Sequence, residues 1–166
     1  MHAQAVRIRV LAVAILLMPV LAFAQGPKPT ASKPPASHAI VTPDQLVWKP
    51  LIPGVEMAVV SGDPGKKGGL HVIRIRSKGE VKVPPHWHVT DEHVTVLEGS
   101  FWIARGEQFD ATKLQELKVG AHSMAPAGVR HFGLHKAGNV IEVFGVAPFV
   151  VKFVNPEDDP NRGKTK

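Results

Sequence analysis

The chain has 166 residues, 20 of them basic and 14 acidic, for a formal charge of +6, and it contains no cysteine. Disulfide bridging, thiol catalysis and sulfur-ligated metal sites are thereby excluded, so stability has to come from a hydrophobic core. The basic excess is modest and nowhere gathers into a lysine- or arginine-rich stripe with interleaved aromatics, which argues against a nucleic-acid partner.

Residues 1–24 read as a secretory signal peptide. Arg7 and Arg9 supply a positive start, Val10 to Leu21 form an apolar stretch broken only by Pro19, and Ala22-Phe23-Ala24 is a small-x-small cleavage site before Gln25. The apolar run is about 12 residues, short of the roughly 20 that a spanning helix requires, and a lipid anchor lacks its cysteine. The mature chain is therefore expected to be secreted or periplasmic, with no membrane attachment after cleavage. Losing Arg7 and Arg9 leaves 18 basic residues against 14 acidic ones, a charge of +4. Residues 25–37 are rich in Pro, Ser and Lys and poor in apolar side chains, the composition of an extended linker.

The segment 38–160 is expected to form one domain by the usual size prior, followed by a tail at 161–166. Short alternating runs bounded by Gly, Pro and Asp dominate it. They are Val55 to Val60, Leu70 to Arg76, Glu80 to Val83, His93 to Leu97, Phe101 to Arg105, His122 to Ala125, Val140 to Val146 and Phe149 to Val154. This spacing predicts an all-β sandwich or barrel. Ala111 to Leu117 reads as either one helical turn or a loop. The glycine-rich stretch Ser61 to Gly69 lacks the Gly-x4-Gly-Lys-Ser/Thr spacing of a phosphate cradle and reads as a hairpin connection. Glu157-Asp158-Asp159 lacks the alternating ligand spacing of a calcium loop and reads as a solvated end.

Chemistry concentrates in Pro84-Pro85-His86-Trp87-His88-Val89-Thr90-Asp91-Glu92. In an extended strand, residues i and i+2 share a face, so His86 and His88 present both imidazoles on one side with Cα atoms roughly 6–7 Å apart. Glu92 cannot join them on the same straight strand. Thr90-Asp91 is the kind of polar pair that reverses a chain, and the return strand brings Glu92 back towards the pair. With His131 downstream, three imidazoles and one carboxylate make a mixed N/O shell for a divalent first-row metal, and on an octahedral ion they leave two positions open. Imidazoles argue against Mg²⁺ and Ca²⁺, leaving Fe, Mn, Ni, Co, Cu or Zn as the one expected cofactor.

These residues also carry a family pattern. Gly79, six residues, His86-x-His88, three residues, Glu92, six residues and Gly99 resembles the first motif of the cupins, with one additional residue after the opening glycine. Gly120, five residues, Pro126, one residue, Gly128, two residues and His131 resembles the second. That motif usually closes with Asn four residues later, where this chain has His135. The resemblance covers about the last two thirds of the chain and is to small single-domain cupins. It implies a double-stranded β-helix, or jelly-roll barrel, of two antiparallel sheets with the metal inside one mouth, and dimers joined through sheet edges or exchanged N-terminal strands.

The function expected on these grounds is metal-dependent transformation of a small organic molecule, with dioxygenase-like oxygen-dependent cleavage as the leading class. The alternatives are a non-catalytic small-ligand-binding or sensing protein, and an oxygen-independent isomerase or decarboxylase. No catalytic acid or base can be named from the sequence.

Around the four candidate ligands, parity assigns further roles. His93, next to Glu92, points to the opposite sheet face. His135 keeps the parity of His131 but lies about 13 Å away along an extended strand, a pocket-lining position. Val94 and Val96 share the parity of Glu92 and are expected to floor the pocket, while Trp87 faces outward. Pro126-Ala127-Gly128 reads as a type II turn that aims His131. Arg74, Arg76 and Arg130 are candidate anion holders or solvated surface residues. A homodimer is expected, with Ile40 to Val47 as the exchanged strand.

Overall fold

The computed structural model describes residues 38–160 and 162–163. The architecture below is that of the unit Ala39–Lys166. The signal peptide at 1–24 and the linker at 25–37 lie outside the described residues, as does most of the tail.

Eleven strands follow in chain order: β1 Lys49–Ile52, β2 Val55–Ser61, β3 Leu70–Ser77, β4 Val81–His88, β5 Glu92–Glu98, β6 Ser100–Arg105, β7 Gln115–Lys118, β8 His122–Ala125, β9 His131–His135, β10 Val140–Val146 and β11 Val151–Phe153. They form a six-stranded sheet in the order β1-β2-β3-β10-β5-β8 and a five-stranded sheet in the order β11-β4-β9-β6-β7. Every pair is antiparallel. The only helical segments among the described residues are 3₁₀ turns at Pro43–Gln45, Ala111–Lys113 and Pro156–Asp158.

Alternation explains how the sheets face each other. On β3, Ile73 and Ile75 are buried; on β5, Val94 and Val96; on β10, Ile141 and Val143. With Val55 and Phe101 they form the core between the sheets. Residues of the other parity form the outer face of the six-stranded sheet, where Arg74 pairs with Glu142 at 3.1 Å and Arg76 with Glu56 at 2.7 Å. The guanidinium of Arg76 also lies 4.2 Å from the ring centroid of Trp48.

Ala111 to Leu117 splits into a 3₁₀ turn, capped by the Asp110 carboxylate accepting from the Thr112 amide, and the strand β7. Strands β1, β7 and β9 carry no clean alternation in sequence and emerge only through pairing. Ile40 to Val47 forms no strand within this chain: Pro43 opens a 3₁₀ turn, and Ile40 and Val47 are exposed. Ser61 to Gly69 does connect the antiparallel pair β2 and β3.

One irregularity sets the site. Between Val83, opposite Gly133, and His86, opposite His131, β4 uses three steps where β9 uses two. The extra residue is a β-bulge at Pro84-Pro85, and proline, which has no N–H to give the ladder, is tolerated at such a place. The bulge switches parity, so that Val83 and His86 both face inward. It also absorbs one residue between Gly79 and His86.

Candidate metal centre

His86 and His88 leave β4 on the five-stranded sheet, His131 begins β9 beside them, and Glu92 begins β5 on the opposite sheet. The turn at Thr90-Asp91 therefore carries the chain from one sheet to the other rather than closing a hairpin. Asp91 helps hold the crossing, its carboxylate accepting the Ala127 amide at 2.8 Å. The Val129 amide donates to the Pro126 carbonyl at 3.0 Å and Gly128 has φ +78°. This is a type II turn with glycine at the position requiring positive φ and Pro126 one place earlier than the usual site.

The three histidines are buried, and their ligand atoms all lie within 4.8 Å of one another. Each ring is oriented by a backbone carbonyl: Nδ1 of His86 donates to Pro84 O at 2.7 Å, that of His88 to Val150 O at 3.0 Å, and that of His131 to Val129 O at 3.0 Å. A carbonyl can only accept, so the proton is on Nδ1 and the Nε2 lone pairs converge. Glu92 completes the cluster, Oε1 at 3.3 Å from His88 Nε2 and Oε2 at 3.3 Å from His131 Nε2. His88 Nε2, for all its proximity to Glu92, makes no hydrogen bond in this geometry and is an orphaned buried atom.

Electrostatics point the same way. Burial, reinforced by the charge of neighbouring His131, pulls the pKa of His86 down to about 4, so its lone pair is free at neutral pH. Burial alone would raise Glu92, but the neighbouring His131 and His88 rings outweigh it and hold the carboxylate ionised, well below the usual range. Burial likewise opposes protonation of His131, and the adjacent Glu92 carboxylate overcomes it, raising its pKa in the absence of a metal. A buried carboxylate faced by three imidazole nitrogens calls for positive charge at their centre. A divalent ion bound by nitrogen and carboxylate oxygen fits that demand and the orphaned nitrogen.

The cluster opens onto a cavity of about 440 Å³, whose walls include Val55, Ile75, Val94, Ile103, Ile141 and Phe149. The Phe149 ring stacks on His88 at 5.2 Å and touches His71 at 5.7 Å, and Phe153 lies 6.1 Å from His86. These aromatics come from the C-terminal segment. An apolar run at 149–154 is visible in sequence, but its return to β4 is not.

Val94 lines the cavity, whereas Val96 lies in the core beyond it. His93 faces outward, stacked on Phe144 at 4.6 Å with Nδ1 3.3 Å from His122 Nε2. Trp87 is on the outer side under Arg130, whose guanidinium lies 5.3 Å from the ring centroid. Arg74, Arg76 and Arg130 do not line the cavity, so none holds an anion there; the first two are paired with carboxylates and Arg130 donates to Gly128 O at 2.6 Å. His135 lines the cavity, with Gly133 between it and His131.

Gly133 is needed for close approach. A Cβ there would meet Phe101 Cζ at 2.8 Å and the Trp102 carbonyl at 3.0 Å. Gly133→Ala is expected to cost about 1–3 kcal/mol through overpacking, read by denaturant unfolding. An unchanged midpoint would show that the Phe101 ring yields freely.

Comparison with known proteins agrees with this architecture. Residues 36–141, more than half of the chain, match the family described as the ChrR cupin-like domain. No curated protein matches the chain. Among solved structures, the polyketide cyclase RemF from Streptomyces resistomycificus superposes with a TM-score of 0.61 at 18% identity, over 75% of this chain and 90% of its own. A proposed acetylacetone dioxygenase from Methylibium petroleiphilum gives 0.57 at 17%, over 77% and 88%. KdgF from Halomonas sp. gives 0.52 at 18%, over 66% and 94%. At these identities the likeness is one of fold. Taken with the two-sheet barrel and the inward histidines, the family match shows that the chain belongs to the cupin superfamily, as a single ChrR cupin-like domain.

Proposed function

We propose that His86, His88, Glu92 and His131 bind one divalent transition metal ion and that the protein uses it to transform a small organic molecule, with oxygen-dependent cleavage as the leading reaction class. The observation that carries this reading is the convergence of three Nε2 lone pairs, each tautomer set by a carbonyl, on the wall of an apolar cavity. When bound, the ion supplies Lewis acidity and, if redox-active, electron transfer. The chain's own residues orient and exclude. The carbonyls of Pro84, Val150 and Val129 lock the rings, Glu92 supplies negative charge, and Phe149 and the aliphatic walls limit water.

Two of the solved neighbours are named as a cyclase and a proposed dioxygenase, chemistries compatible with such a centre. A second reading draws on the lining itself. Besides the four proposed ligands, the ionisable groups around the cavity among the described residues are His135 and Asp159. A lining so short of acids and bases suits oxidation or plain ligand capture better than isomerisation or decarboxylation, which need a placed proton carrier.

Metal analysis of protein purified from its native compartment, followed by oxygen-uptake screens with small oxygenated compounds, tests the proposal. Uptake supported by iron, manganese, nickel, cobalt or copper is expected. A site that works only with zinc sinks the oxygen chemistry and favours the binding reading.

Export and assembly are part of the same proposal. The mature chain is taken to begin at Gln25, outside the cytoplasm, and to form a homodimer. Sedimentation of residues 25–166 is expected to show the dimer at micromolar concentration, retained when residues through Ser37 are deleted. A monomeric mature protein refutes it.

A further inference from the structure

Strand β9 carries two histidines of one parity, and both line the same cavity. The strand stays extended from His131 to His135, so their Cα atoms are roughly 13 Å apart. His135 is 4% exposed. Its Nδ1 lies 3.1 Å from Oδ1 of Asn139, a side chain that is itself fully buried. An amide oxygen only accepts, so Nδ1 carries the proton and Nε2 remains as an acceptor for the cavity. Burial pulls the pKa of His135 down against the opposing bond to Asn139, which keeps the ring neutral.

What lies between the two histidines is apolar. Gly133 offers no side chain, the Phe101 ring sits 4.8 Å from that of His135, and Val94, Ile103 and Ile141 complete the walls. An acceptor open only to such a surface is a ready partner for a donor that a ligand brings.

We infer that His135 is a second anchor of the substrate site, accepting a hydrogen bond from a hydroxyl or N–H group at the end of the ligand remote from the metal centre. The inference rests on the metal reading above and narrows it. Subtracting a coordination bond of about 2 Å and a hydrogen bond of about 3 Å leaves a span of roughly 8 Å. The substrate class is then a mainly apolar molecule with a metal-chelating oxygen pair at one end and a hydrogen-bond donor at the other. His135 stands where the family pattern usually has Asn, a shorter side chain.

The test uses the full mature protein loaded with Co²⁺, whose visible bands respond to new ligands, and a matched pair of chelating probes. These are 3-(4-hydroxyphenyl)propanohydroxamate and 3-phenylpropanohydroxamate, which differ only by the distal hydroxyl. The hydroxylated probe is expected to bind roughly five- to tenfold more tightly, the net worth of one buried hydrogen bond. In His135→Phe that ratio should fall to about one, with cobalt content unchanged; His135→Asn, a smaller change beside Phe101, should lose it too. Equal affinities in the unmodified protein, or an advantage that survives both substitutions, would overturn the inference alone. No cobalt uptake, or no spectral response to either probe, would bring down the metal reading and the inference with it.

Discussion

Replacing His86 or His88 with alanine is expected to abolish stoichiometric metal binding, whereas His93→Ala leaves metal content close to that of the unmodified protein. The reason is parity. His86 and His88 present Nε2 to the same buried point as His131 and Glu92, while His93, adjacent to Glu92 in sequence, stacks on Phe144 outside the barrel. Stability should follow occupancy. An ion that binds only the folded chain, at a free concentration a thousandfold above its Kd, contributes about 4 kcal/mol. For a domain of this size that corresponds to roughly 12–20 °C in Tm. Removing metal with a chelator should lower Tm by that amount in the unmodified protein and in His93→Ala, and by little in His86→Ala or His88→Ala, which have no ion to lose. Elemental analysis and differential scanning calorimetry on the same samples decide it. Equal metal loss in all three variants would show the ligand assignment to be wrong.

Phe132→Ala should be the most destabilising truncation in the five-stranded sheet, at about 3–5 kcal/mol by denaturant unfolding. Phe132 lies between the inward His131 and Gly133 on β9 and so points to the outer face, yet it is 0% exposed. Its cover comes from the loop after β6: Phe109 packs at a ring-centroid distance of 5.2 Å, and Lys82 lies 5.2 Å from the Phe109 ring centroid on the other strand flank. Gly106 belongs to the same lid, since a Cβ there would meet Phe132 Cε1 at 3.2 Å. Truncation leaves a cavity that these neighbours can close only by moving the loop. Because its side chain faces away from the cavity and does not line it, bound metal at 25 °C should be unchanged. A loss below about 1 kcal/mol would mean that the loop collapses onto the sheet and the site tolerates the void.

Sequence alone determined the family and the identity of the cluster's side chains, because both reside in local spacing. His-x-His on an extended segment places two imidazoles on one face whatever the surroundings, and glycine at 128 permits the positive φ that aims His131. The alternating runs that became β2, β3, β5, β6, β8 and β10 were legible for the same reason, most clearly in β3, β5 and β10, where one face is buried and period two shows through. Strands β1, β7 and β9 were not legible. Two have no buried residue and β9 is buried on both faces, so none alternates.

Tertiary structure decided the rest. That Glu92 approaches from the opposite sheet depends on where the chain crosses, and the inward turn of both Val83 and His86 depends on a bulge defined only against β9. The tautomers depend on carbonyls at Pro84, Val129 and Val150, the last of them 62 residues from His88. Likewise the protonation of His135 is set by Asn139, and its place at the far end of the cavity by the unbroken extension of β9. Lone-pair direction and burial are properties of contacts between segments distant along the chain, and no local pattern encodes them.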